Sequence, residues 1–108
     1  MSTHTFPIAE DKLTLASDIL RAITHPLRMQ ILDCISSKGI ATVQEIHTAL
    51  DIEQSLTSQH LRILRRVDLV SAERDGKFVN YKVMNDKISL VSKAVSNFLQ
   101  STGDLEVA

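Results

Sequence analysis

Only three residues, Asp51-Ile52-Glu53, separate two segments that both carry helical periodicity, and this short link constrains the fold more than any other feature of the chain. The first segment opens on Thr42-Val43-Gln44-Glu45. That is a capping-box pattern, in which a threonine side chain and a glutamate three residues later satisfy each other's free backbone N–H groups. Its apolar stripe is Val43, Ile46 and Leu50. The second segment runs from about Gln54 to Val67 and begins with polar residues. Asp51 stands at the turn, and aspartate is among the side chains that tolerate turn geometry.

The flanking segments extend the pattern. Leu13, Ala16, Ile19, Leu20 and Ile23 have the spacing of one helical face. Thr24-His25-Pro26 ends that helix, because proline pushes its predecessor out of helical dihedrals and suits the first turn of a new helix. The next helix carries Leu27, Ile31, Cys34 and Ile35 inward and stops near Lys38-Gly39. After Leu69-Val70 the pattern becomes a strand over 71–74, a turn at Asp75-Gly76 and a strand over 77–83. Asp-Gly predicts a type I′ hairpin, with both central residues at positive φ. Ile88, Val91, Val95, Phe98 and Leu99 mark a last helix. The expected organisation is a mobile arm over 1–12, one domain over 13–101 and a frayed tail over 102–108. The fold class is mainly α with a small β-hairpin, in the order α-α-α-α-β-β-α. A short helix, a tight link, a helix polar at its start and a basic hairpin make a helix-turn-helix with a wing.

With 108 residues and 44% hydrophobic content, the chain can bury one compact core. Its net charge is −1, but residues 1–59 sum to −3 and residues 60–87 to +3, so any affinity for nucleic acid depends on local placement of charge. No run approaches the roughly 18 apolar residues of a membrane span, and the N-terminus lacks a signal pattern, so a cytoplasmic location is expected. A single cysteine, Cys34, excludes an intrachain disulfide. There is no Gly-rich phosphate loop, H-E-x-x-H pattern or nucleophile elbow, and neither enzymatic activity nor a cofactor is expected.

At about 100° per residue, Leu56, Leu61, Ile63, Leu64 and Val67 share a broad apolar side of the helix beginning at Gln54. Ser55, Gln59, Arg62 and Arg66 share the opposite side, with Gln54 and Ser58 flanking it. Glutamine can pair with adenine and arginine with guanine in the major groove, while serine more often holds a phosphate. Gln54, Ser55, Ser58, Gln59 and Arg62 are therefore candidate contacts to double-stranded DNA, and the plain alternative is a solvated helix face. Arg66, Arg74 and Lys77 are candidates for the sugar-phosphate backbone. Arg65 could do the same or pair with Asp68 or Glu73. His60 falls between Leu56 and Leu64, so it is either a partly buried histidine bonded to backbone or a further DNA contact. Leu56 is expected to pack against the domain, the other possibility being a thymine methyl group.

The strings "ITHPLRMQILDCI" and "VQEIHTALDIEQSLTSQHLRILRRVDLVSAERDGKFVNYKV" resemble the ArsR/SmtB family of winged-helix repressors, and the resemblance spans roughly residues 13–100. It implies a homodimer built from the first and last helices, and many such proteins release DNA when an effector binds. The family's thiolate sensors carry C-x-C where this chain has Thr42 and Gln44. Its zinc and nickel sensors carry Asp-x-His where this chain has Asp86-Lys87-Ile88, and no histidine follows His60. No metal site of those kinds is expected. Cys34 reads as a small core hydrophobe, with a redox role as the lesser possibility. The effector stays open: oxidation at Cys34, an intersubunit metal, a small molecule in the dimer cleft, or none. A winged-helix module that binds another protein and not DNA is the competing reading.

Overall fold

The computed structural model describes residues 7–101. Helix α1 (Glu10–Thr24) is followed by α2 (Pro26–Lys38), strand β1 (Ala41–Thr42), α3 (Val43–Leu50) and α4 (Gln54–Arg66). Strands β2 (Val70–Asp75) and β3 (Phe78–Val83) then lead to α5 (Asn85–Ser101). The expected helix-turn-helix and wing are present in the expected order.

The first helix starts three residues before the apolar stripe that marks it. Ala9 is extended at the N-cap position, Leu13 N–H donates to its carbonyl at 3.1 Å, and Glu10 and Asp11 occupy the first turn. Acidic side chains are favoured there by the positive end of the helix dipole, and polar residues give no periodic signal. Residues 10–12 of the segment expected as an arm therefore belong to α1. Residues 1–6, and the tail expected over 102–108, lie outside the described residues.

His25 caps α2, its Nδ1 accepting the Leu27 N–H at 3.2 Å, and Gly39 closes that helix at φ +82. The capping box forms as expected. Thr42 Oγ1 accepts the Glu45 N–H at 3.2 Å, and Glu45 Oε1 accepts the Thr42 N–H at 3.0 Å. The Thr42 N–H, the Thr42 hydroxyl donating to the same carboxylate oxygen at 3.2 Å, and Lys38 nearby hold the Glu45 carboxyl below the usual carboxylate range. Asp51 takes the left-handed conformation at φ 54, its N–H bonding back to the end of α3. Asp68, at φ 59, does the same after α4, where no turn signal stands out in the sequence.

Two details of the sheet differ from expectation. Ala41 and Thr42 pair with Tyr81 and Asn80, adding a third, two-residue strand in the order β1-β3-β2. Two residues are too few to show alternation. The hairpin register is Asp75 opposite Phe78, which places Gly76 and Lys77 at the centre of the turn. Gly76 has φ +63, and Asp75 is not among the positive-φ residues. The expected type I′ turn at Asp75-Gly76 is corrected to a turn one residue later, with the φ pattern of type II′, in which only the first central position needs glycine.

The core is where α2, α3, α4 and the start of β2 meet. Ile31, Ile35, Ile46, Leu61, Leu64, Leu69 and Val70 are fully buried, and Cys34 packs partly buried against them. In contrast, α5 contributes no buried residue and α1 only Ala22. One polar member of the core is His60, only 8% exposed. Its Nδ1 accepts a bond from Arg28 Nε at 3.2 Å, and its ring centre lies 4.8 Å from that of His25. Burial, and after it the electrostatic influence of neighbouring His25 and Arg28, depresses the His60 pKa below its ordinary value of 6.5.

Two outcomes follow for stability. Gly76→Ala should cost about 1–2 kcal/mol in urea unfolding, since a Cβ disfavours left-handed backbone, while Asp75→Ala should stay within about 0.5 kcal/mol. Equal losses at both positions would restore the type I′ turn. For His60, the unfolded chain binds a proton near pH 6.5 and the folded chain only at lower pH. Its contribution is therefore complete above that value and declines as pH falls through the window below it. Unfolding midpoints between about pH 7.5 and 5 should fall less steeply for His60→Gln than for the parent chain.

Candidate nucleic-acid interface

Helix α4 divides sharply by side. Thr57, His60, Leu61 and Leu64 form its buried stripe, while Gln54, Ser55, Gln59 and Arg62 are exposed and Ser58 is half-buried. Five of the six expected reading-head residues thus lie together on the water side of the helix or at its edge. His60 does not. It turns inward to Arg28 and His25, in keeping with the buried of its two readings: the side chain lies in the core, bonded to a side chain where backbone was expected. A partner in the interior is what allows a polar ring to be buried there.

Leu56 is the opposite case. Expected to pack, it is 37% exposed, because the buried stripe runs through Thr57 and leaves Leu56 at its edge in the first turn. Thr57 is the residue that sequence reasoning missed. Fully buried, it donates from Oγ1 to the Glu53 carbonyl at 2.9 Å and from its backbone N–H to the same oxygen at 3.0 Å, which fixes the entry into the helix. The available signal was its spacing, four residues before Leu61 and seven before Leu64. Glu53, at the N-cap, makes no side-chain bond to the helix. The first-turn N–H groups of α4 thus receive no side-chain cap from Glu53.

On the wing, Arg74 and Lys77 are exposed on either side of Asp75 and Gly76. Phe78, which the sequence reading passed over, is 54% exposed beside them, with Lys77 Nζ 5.8 Å from its ring centre. Such a tip offers cations and an aromatic face together. Arg66 shares the angular position of Ser55 and Gln59 but lies at the far end of α4, where it lines a groove against α1 with Arg21 and Arg28. Among the described residues, no three histidine, cysteine, aspartate or glutamate side chains gather where they could hold a metal ion. No helix among them is long and apolar enough to cross a membrane.

This architecture and this sequence have known counterparts. Residues 25–72, from the α2 cap to the start of β2, match the family described as bacterial regulatory protein, arsR family. The chain is 32% identical over 89 residues to the biofilm growth-associated repressor of Agrobacterium fabrum, an alignment spanning 82% of this chain and 75% of that protein. The crystal structure of NolR from Sinorhizobium fredii superposes with a TM-score of 0.67 at 30% identity, covering 87% of this chain and 96% of that one. At 23% identity and a TM-score of 0.69, the fold is also that of a homodimeric winged helix-turn-helix DNA-binding domain from Mycobacterium bovis, with 94% and 98% covered. With its buried core, polar reading helix and cationic wing accounted for, the chain belongs to the ArsR family of bacterial regulatory proteins, which are transcriptional regulators and not enzymes.

Proposed function

We propose that the chain is a sequence-specific repressor that binds an inverted-repeat operator as a homodimer, with α4 in the major groove and the wing along the backbone. The observation that carries this reading is the exposed row Gln54, Ser55, Gln59 and Arg62 on a helix whose other side is locked into the core. A helix held in this way can present side chains to base edges in a fixed register. Gln59 and Arg62 are the base readers, Ser55 and Ser58 hold phosphates, and exposed Leu56 is available to a thymine methyl group. Arg74 and Lys77 supply salt-dependent affinity from the wing.

Dimerisation is supported by apolar surface that the described residues leave uncovered. A cleft of about 590 Å³ runs between α1 and α5, walled by Ala16, Ile19 and Leu20 on one side and Val91, Ala94 and Val95 on the other. Exposed apolar surface gathered in this way marks an interaction site. A structural neighbour named as homodimeric points the same way.

Gln59→Ala should weaken operator binding by about 1–3 kcal/mol while leaving non-specific binding nearly unchanged, as read by titration on selected and scrambled DNA. Lys77→Ala should weaken both alike and lower the salt slope by about 1. Equal losses for Gln59→Ala on the two DNAs would remove it from base reading. Absence of any specific shift on DNA upstream of the gene, even at low salt, would favour a protein-interaction module. Val95→Asp should convert a dimer to a monomer in analytical ultracentrifugation and abolish operator binding.

A further inference from the structure

The groove between α1 and the C-terminal half of α4 lies at the opposite end of that helix from Gln54 and Ser55, and its chemistry differs from theirs. Its volume is about 270 Å³, just below the usual range for ligand pockets and enough for a small anion. Arg21 from α1, Arg28 from α2 and Arg66 from α4 line it, against one carboxylate, Asp18. Ile63 and Val67 give it an apolar wall. Three guanidinium groups around one concavity concentrate positive charge in a chain whose net charge is −1. Like charges in a recess repel one another, and an anion among them removes that cost.

The bonds made by these arginines do not neutralise them. Arg21 Nη2 donates to Ser17 Oγ at 3.1 Å, Arg28 Nε to His60 Nδ1 at 3.2 Å, and Arg28 Nη1 to the Arg21 carbonyl at 3.4 Å. All three acceptors are uncharged. What the bonds supply is orientation, since they fix the fork of half-buried Arg28 from two sides. A planar donor held in place suits a carboxylate or phosphate better than a mobile one does.

We propose that this groove binds a small organic anion, a carboxylate or phosphate on an apolar body, held by Arg21, Arg28 and Arg66 with its apolar part against Ile63 and Val67. A DNA phosphate would use the arginines but not the apolar wall. Resting on the DNA-binding reading above, the bound anion is an effector: Arg66 and Ile63 belong to α4, and Arg28 also holds His60 of the same helix. Anything that changes these contacts biases the helix that meets the DNA. By linkage, DNA changes anion affinity by the same factor as the anion changes DNA affinity.

The test is a ¹⁵N NMR titration of the full chain with sodium benzoate and with phenyl phosphate, using benzyl alcohol at matched ionic strength as the neutral control. Saturable shifts around the groove are expected with both anions and not with the alcohol. Arg21→Gln should weaken them about tenfold and leave anion-free DNA affinity unchanged, whereas Asp18→Asn should strengthen them. Failure to saturate, an equal response to benzyl alcohol, or undiminished binding by Arg21→Gln would overturn the site. So would a reduced salt slope for DNA in Arg21→Gln, which would assign the groove to the DNA backbone. A saturated groove that leaves the affinity for selected DNA unchanged would overturn the effector role alone. Absence of any selected DNA would sink the operator reading and leave the anion titration standing.

Discussion

Leu61 and Leu64 are wholly buried against α2, α3 and the start of the wing, and that contact decides which side of α4 is left to water. Thr57 ties the first turn of the helix to Glu53, and His60 ties its middle to Arg28. Rotation of α4 by even one residue would bury Gln59 or expose Leu61. The cost of unburying one such leucine, about 2–3 kcal/mol, is a large part of the stability of a domain this size. The reading face is therefore rigid because the opposite face is apolar and packed. Binding then requires little ordering of the helix, which keeps the entropic penalty of association small.

The division of labour along the chain has the same origin. Elements α2, α3 and α4 use their apolar stripes on one another. Helices α1 and α5 also carry apolar stripes, yet among the described residues α1 buries only Ala22 and α5 none. Leu20, Val95 and Leu90 stand exposed. Under the function proposed above, a second copy covers this face and brings two α4 helices to one side of a duplex. The groove lined by Arg21, Arg28 and Arg66 lies where α1, α2 and α4 converge.

Much of this was legible in the sequence because it rests on local rules. The Thr42–Glu45 box, the Pro26 break, the stop at Gly39 and the apolar spacing within α4 each depend on residues within a turn or two of one another. What was not legible depends on contacts distant in sequence or on too few residues. The sequence could place His60 between Leu56 and Leu64, but its fate hung on Arg28, thirty-two positions away. Leu56 stands exposed and Thr57, which had no assigned role, lies buried, because a wheel gives angles and not what covers them. The strand at Ala41–Thr42 exists only by pairing with β3. The hairpin slipped by one residue because an Asp-Gly pair signals a turn without fixing which residues stand at its centre. Of the candidate site, the exposed polar row was readable and the exclusion of His60 from it was not.

The central claim is that the polar side of α4 enters the major groove, and methylation interference tests it most directly. DNA selected from a random pool is methylated sparingly at guanine N7, which lies in the major groove, and bound and free fractions are compared. The account predicts that methylation blocks binding at guanines in two half-sites related by a two-fold axis, about one helical turn or a multiple apart. Binding indifferent to N7 methylation at every guanine, with protection confined to the minor groove or absent, would contradict it.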